Sequence, residues 1–250
     1  MTIVARASAR GVEAARPPGR PRLCMRWRDL ALFHWRVPVE AIRPLVPPSL
    51  QVDTFDGQAW VGLVPFSMPL VRVYGCPRVP GAHAFHECNV RTYVSAGGEP
   101  GVWFFSLDAA SRLAVWGARL SFGLPYFTAR IGLQRQGERI DYAVRRGGAP
   151  HARLDCAWEA GEPLPRTRPG ELAHFLTDRL CLYTVDRRGR PWRGRIWHQP
   201  WSLRTARVGR LDDGLVGAAG IAVDQDLRRN PPLAHHADEL FVEAWPPERA

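Results

Sequence analysis

The sequence predicts an α+β domain made mainly of antiparallel β-strands with a few short helices. Three observations carry this expectation. Several runs of strand length are rich in apolar, β-branched and aromatic residues, the clearest over 85–95. Turn signals separate these runs at hairpin spacing: Asp56-Gly57, Gly97-Gly98, Gly137 and Gly147-Gly148. Helical periodicity is confined to three short stretches.

The first strand is expected over 27–35. Val37-Pro38 then opens a short helix, because proline suits a first helical turn and Ala41, Ile42 and Leu45 supply an apolar face. Pro47-Pro48 ends it. A strand is expected over 59–68, a loop over 79–83, and a strand over 85–95. The run 102–107 is its antiparallel partner. A helix is expected over 109–120, with Leu113, Trp116 and Leu120 on one face and Gly123 and Pro125 as its stop. Two or three strands fill 127–158. Pro169 starts another helix, with Leu172, Phe175, Leu176 and Leu180 at helical spacing. The remainder, including 192–201 and 241–245, reads as strands and irregular ends.

The net charge is +10, and all 34 basic residues are arginine. The arginines are scattered, and the densest run, Arg187-Arg188-Gly189-Arg190, lies in a turn-like stretch. No basic stripe or basic-aromatic sheet motif marks a nucleic-acid surface, so no nucleic-acid partner is expected. The five cysteines are far apart, odd in number and form no C-x-x-C pair, which argues against a disulfide framework and a structural zinc site. A reducing cytoplasm follows as the expected compartment. Residues 1–22 are rich in Arg, Ala and Pro and carry no apolar signal core, so a disordered tail is expected there, followed by a single domain over 23–250. No apolar run is long enough to span a membrane, and no membrane partner is expected.

The chemistry concentrates in the strand over 85–95. Alternate strand residues share a face, about 7 Å apart. One face carries Glu87, Asn89, Arg91 and Tyr93, and the other carries Cys88, Val90, Thr92 and Val94. The polar row reads either as a solvent-facing surface or as one wall of a site. The first strand bears on the choice. Arg28 alternates with Leu30 and Leu32, and a charge on an apolar face needs a partner, for which Glu87 is a candidate.

These residues also carry a resemblance. The runs Trp27-Arg28-Asp29-Leu30, Phe33-His34-Trp35, Val37-Pro38 and Leu45-Val46-Pro47 resemble the start of the YqjF-like family of uncharacterised bacterial proteins. Asp53-Thr54-Phe55-Asp56-Gly57, the run from Phe85 to Val94, the run from Gly101 to Asp108, and Leu124-Pro125-Tyr126 continue the match in order. It spans roughly residues 24 to 205.

That family is similar, more distantly, to acetoacetate decarboxylase. The resemblance implies an antiparallel β-cone or barrel with a few short helices and an internal pocket. It places Arg28 at the decarboxylase's arginine position and Glu87 at its glutamate position. Arg119 and Leu124-Pro125 match the approach to the Schiff-base lysine pair, where Tyr126 and Phe127 now stand. The chain contains no lysine. An imine needs an amine that deprotonates and attacks a carbonyl, and arginine stays protonated. Lysine imine chemistry is therefore excluded.

The groups left are Glu87, Arg28 and Tyr126 as candidate catalytic residues, with Asn89, Arg91, His86 and Arg119 as candidate ligand contacts. They suit a non-imine enzyme, a lyase, isomerase or hydrolase, acting on a small carbonyl or carboxylate compound. The alternative is a non-catalytic small-molecule-binding or sensor module using the same cavity. No cofactor is implied. His83, His86 and His235-His236 lack a zincin pattern, so no metal is expected. His34 reads as a satisfied core histidine. A homo-oligomer is compatible with the sequence, which shows no interface.

Overall fold

The computed structural model describes residues 15–77 and 79–250. Thirteen strands and four short α-helices form among them. The first half holds β1 (Leu23–Val37), α1 (Val39–Ile42), β2 (Gln51–Val52), β3 (Ala59–Val73), β4 (Phe85–Ala96), β5 (Glu99–Ala109), α2 (Arg112–Phe122) and β6 (Tyr126–Gln136). The second holds β7 (Arg139–Arg146), β8 (Arg153–Pro163), α3 (Leu172–Thr177), β9 (Cys181–Val185), β10 (Pro191–His198), β11 (Leu203–Asp213), α4 (Leu215–Ala218), β12 (Leu233–Ala244) and β13 (Glu248–Arg249). All neighbouring strands pair antiparallel except β5 with β6 and β5 with β9. The expected α+β, mainly antiparallel class is the observed one.

The sheet closes on itself twice. One ring runs β5–β6–β7–β8–β11–β12–β1–β3–β4 and returns to β5. A smaller ring runs β5–β9–β10–β12–β1–β3–β4. The segment β12–β1–β3–β4–β5 is common to both, so it has an interior on each side. This explains why β3 is buried continuously from Ala59 to Met68. An alternating pattern would leave one face in water.

The larger ring is filled. Phe33, Leu63, Val90, Tyr142 and Trp158 belong to one buried cluster, with the Phe33 and Trp158 rings edge to face at 5.8 Å. The smaller ring encloses a cavity of about 510 Å³. Its closure needs a glycine. A Cβ on Gly101 of β5 would meet the Cys181 carbonyl oxygen of β9 at 2.6 Å.

The helix expected over 109–120 is α2. Ser111 caps it by accepting the Ala114 N–H at 3.1 Å, and Gly123 ends it in the left-handed region at φ 63°. Leu113, Trp116 and Leu120 do share a face, but they are 55, 67 and 68 % exposed. Residues of α2 from Leu113 to Phe122 line one side of the cavity. The helix expected from Pro169 is the shorter α3. It ends at Thr177, and Leu180 falls in the link to β9.

The tail expected over 1–22 lies, for residues 1–14, outside the described residues. Residues 15–22 have tertiary partners. Arg16 pairs with Glu243 at 2.7 Å, Gly19 accepts from the Trp245 indole at 3.2 Å, and the Arg22 N–H donates to Ala244 at 2.7 Å. No helix among the described residues is long and apolar enough to cross a membrane.

Candidate functional site

The site is built on β4. Because β4 separates the two rings, both of its faces are enclosed. Cys88, Val90 and Val94 enter the filled core, whereas Phe85, Glu87, Asn89 and Arg91 line the cavity. The row of polar residues is therefore one wall of an internal site.

Glu87 is the chemical centre of that wall. It is 3 % exposed, and its Oε2 accepts the Tyr126 hydroxyl proton at 3.0 Å. Burial pushes its carboxyl up to about 8 from an ordinary 4.5. The Tyr126 hydrogen bond partly offsets this, and the negative charge of Asp108 adds to it. Tyr126 itself is held well above its usual range by burial and by the nearby carboxylate. At neutral pH, Glu87 is thus mostly a neutral acid and Tyr126 a neutral phenol.

The surroundings hold Glu87 in place from three sides. Arg119 donates through Nε to the Tyr126 carbonyl oxygen at 2.7 Å and so orients Tyr126 from the exposed end of α2. Tyr142 reaches through from the filled core. Its hydroxyl is shared between the carbonyl oxygens of Glu87 at 2.8 Å and Phe66 at 3.0 Å, which ties β4 to β3 at this point. Behind the wall, Arg146 donates twice to buried Asp108, both bonds at 2.7 Å, and stacks 4.0 Å from the Phe127 ring centre.

Farther along β4, two buried polar atoms have no protein partner: Asn89 Oδ1 and Arg91 Nε. Arg91 makes a long 3.4 Å bond from Nη2 to the Leu176 carbonyl oxygen, and its guanidinium lies 5.8 Å from the Tyr93 ring centre. A half-buried guanidinium whose enclosed Nε has no protein partner fits an anionic or carbonyl ligand. His198 and Arg179 face the same space. The His198 imidazole is pushed down mainly by burial, with Arg91 adding to the effect. Arg179 is satisfied by Asp53 at 2.6 Å and the Phe175 carbonyl oxygen at 2.7 Å, and it stacks 4.3 Å from Phe175.

Arg28 is not part of this wall. Asp29 adopts φ 50°, and the β1–β3 register shifts on either side of Arg28. This irregularity reverses the inward parity of β1. Trp27 lines the cavity before it, and Leu30 and Leu32 line it afterwards. Arg28 is left pointing outward with its side chain 49 % exposed. It donates to Glu239 through Nη2 at 2.8 Å and Nε at 3.1 Å. Its partner is therefore Glu239, and the expected pairing with Glu87 is corrected. Arg28→Ala is expected to change stability by less than about 1 kcal/mol in denaturant unfolding and to leave ligand titrations unaltered.

The remaining expected contacts divide. His86 sits on the other face of β4, bonded through Nδ1 to Ser67 Oγ at 2.8 Å, and does not line the cavity. Arg119 is exposed and acts on Tyr126 from behind. His34 is buried, with burial pushing its imidazole well down, and its Nε2 bonds Tyr93 Oη at 2.6 Å. His236 accepts the Trp158 indole N–H at 3.2 Å and pairs with Asp238. Among the described residues, no three His, Cys, Asp or Glu side chains cluster to hold a metal. The sequence reading missed His198 and Arg179. His198 had a signal, a histidine flanked by Trp197 and Trp201. Arg179 had none, because its partner Asp53 is distant in sequence.

Comparison with known proteins places this architecture. Residues 24–240 match the DUF2071 family model, described as an uncharacterized conserved protein. The chain is 39 % identical to the uncharacterized protein YqjF of Bacillus subtilis (strain 168) over 220 residues, covering 88 % of this chain and 89 % of that protein. Among solved structures, it is similar to the enduracididine biosynthesis enzyme MppR with HEPES bound. The TM-score is 0.63 at 15 % identity, over 100 % of this chain and 98 % of that one. MppR complexed with pyruvate gives 0.59 at 16 %, over 97 % and 94 %. Acetoacetate decarboxylase from Legionella pneumophila gives 0.63 at 13 %, over 99 % and 98 %. At these identities the likeness establishes the fold alone. The chain belongs to the DUF2071 family of uncharacterized, YqjF-like proteins, folded in the manner of acetoacetate decarboxylase.

Proposed function

We propose that the protein is a lysine-independent enzyme that moves a proton on a carbonyl-bearing carboxylic acid. The observation that carries this reading is the buried Glu87–Tyr126 pair, held inside a cavity with its carboxyl pushed up to about 8. An acid–base group works best when its pKa lies near the working pH. The complex of MppR with pyruvate supports a small oxo acid as the kind of ligand this fold accepts.

In this reading, Arg91 holds the ligand carboxylate and replaces the role expected of Arg28. Asn89, through its unpartnered amide oxygen, accepts the O–H of the ligand's enol form. The ionised fraction of Glu87 takes the proton from the carbon beside the carbonyl, and the neutral acid returns it to carbon or oxygen. Tyr126 steadies the carboxylate before the proton is taken and after it is returned, by donating to Oε2. No covalent bond to the protein forms, which suits a chain without lysine.

The test is deuterium exchange. Wild type and Glu87→Gln are incubated in deuterated buffer with pyruvate and 2-oxobutanoate, and loss of the C3 proton signal is followed by NMR. Exchange by wild type that falls by roughly 100-fold or more in Glu87→Gln is expected. Equal rates in both proteins would contradict the assigned role. Binding without exchange would return the cavity to a sensing or carrier role.

A further inference from the structure

The polar groups of the cavity are concentrated on one part of its lining. Glu87, Asn89 and Arg91 occupy three successive inward positions of β4, with His198, Thr177 and Arg179 facing the same space. Tyr126 joins them through its hydroxyl, and apart from Arg72 and Ser121 the rest of the lining is mainly apolar. On β3 it runs from Val64, beside Asn89, through Phe66, Met68 and Val71 to Val73. Along one strand that distance reaches about 30 Å at a rise of about 3.3 Å per residue. On β1 the matching stretch runs from Leu32 to Leu23, whose partner on β3 is Val73. The cavity holds about 510 Å³, and its apolar lining extends along β1 and β3 well away from the polar cluster. A three-carbon acid would leave most of it empty.

We propose that the natural ligand is an aliphatic carboxylic or oxo-carboxylic acid with a medium or long straight chain. Its carboxylate is bound by Arg91, and its chain is laid along the inward face of the paired strands β1 and β3 toward Leu23 and Val73. This deepens the proposed function and rests on it for the position of the head group. Neutral Glu87 does not repel an anionic head, and the spare Nε of Arg91 gains a partner. The hydrocarbon chain satisfies apolar walls that offer no hydrogen bonds. Such a ligand matches both the polar cluster and the long apolar lining.

The test is a chain-length series. Straight-chain carboxylates from acetate to decanoate, each below its micelle concentration, are titrated against the full chain. Binding is followed by the fluorescence of Trp27 and Trp201, which line the cavity. Each buried methylene contributes about 0.8 kcal/mol, so octanoate is expected to bind roughly 100-fold more tightly than butanoate. Arg91→Met should weaken every acid by a similar factor and keep the dependence on length. Val71→Trp, at the half-buried outer end of this lining, should spare butanoate and remove the gain for the longest acids. Affinity independent of length would overturn the chain proposal while leaving the head-group reading intact. Decanol binding as tightly as decanoate would overturn the carboxylate contact. Failure of any acid to bind would overturn both.

Discussion

Glu87→Gln is expected to stabilise the protein in alkaline solution and to leave it unchanged in acid. The folded-state carboxyl lies at about 8 and the ordinary value is 4.5. Between these values the folded chain keeps a proton that the unfolded chain has released. Stability therefore falls as pH rises through that window, and the loss is complete above about 8. Glutamine has the same shape, still accepts the Tyr126 hydroxyl, and cannot ionise. The gain at pH 9 is on the order of 3–5 kcal/mol, with each kcal/mol raising the melting temperature by about 2–4 °C in a chain of this size. Thermal melts of both proteins from pH 4 to 9 check this. Curves that coincide below pH 5 and diverge steadily above it are the expected result.

The second large effect concerns the ion pair behind the wall. Asp108 is fully buried, Arg146 is almost so, and their two hydrogen bonds are both 2.7 Å. Burial nonetheless holds the Asp108 carboxyl above its usual range, with Arg146 pulling it back. Asp108→Ala would leave a guanidinium enclosed without its partner. It is expected to cost about 3–5 kcal/mol, or about 10 °C in melting temperature. Replacing both members, as in Asp108→Leu with Arg146→Met, should recover much of the loss, because the unpaired charge is then absent. Urea unfolding of the single and double variants measures the difference. Removing Asp108 also takes away a negative charge that lifts Glu87, so the Glu87 midpoint should move down in the single variant.

The strand content was legible because its signals are local. The turns at Gly97-Gly98 and Gly137 close the β4–β5 and β6–β7 hairpins, and Asp56-Gly57 makes a tight turn bridged by Phe55 and Gln58. The double closure was not legible. Alternation in β4 forecasts one buried and one wet face, but sharing the strand between two rings buries both. This is why the Glu87, Asn89 and Arg91 row was open to two readings, and only the closure of the smaller ring decides between them. Arg28 shows the opposite failure. Its place among leucines was visible, but the parity reversal at Asp29 depends on one backbone angle that residue spacing does not reveal. The exposed face of α2 is a similar case. Helical spacing grouped Leu113, Trp116 and Leu120 correctly, but whether a face is covered depends on what packs beside it.

The chemistry of the cavity turns on Glu87 being a neutral acid at physiological pH. Infrared difference spectra between wild type and Glu87→Gln, recorded from pH 4 to 10, isolate the carbonyl stretch of this one protonated carboxyl. The band is expected to persist through pH 7 and to disappear with a midpoint near 8. A midpoint near 4.5 would contradict it.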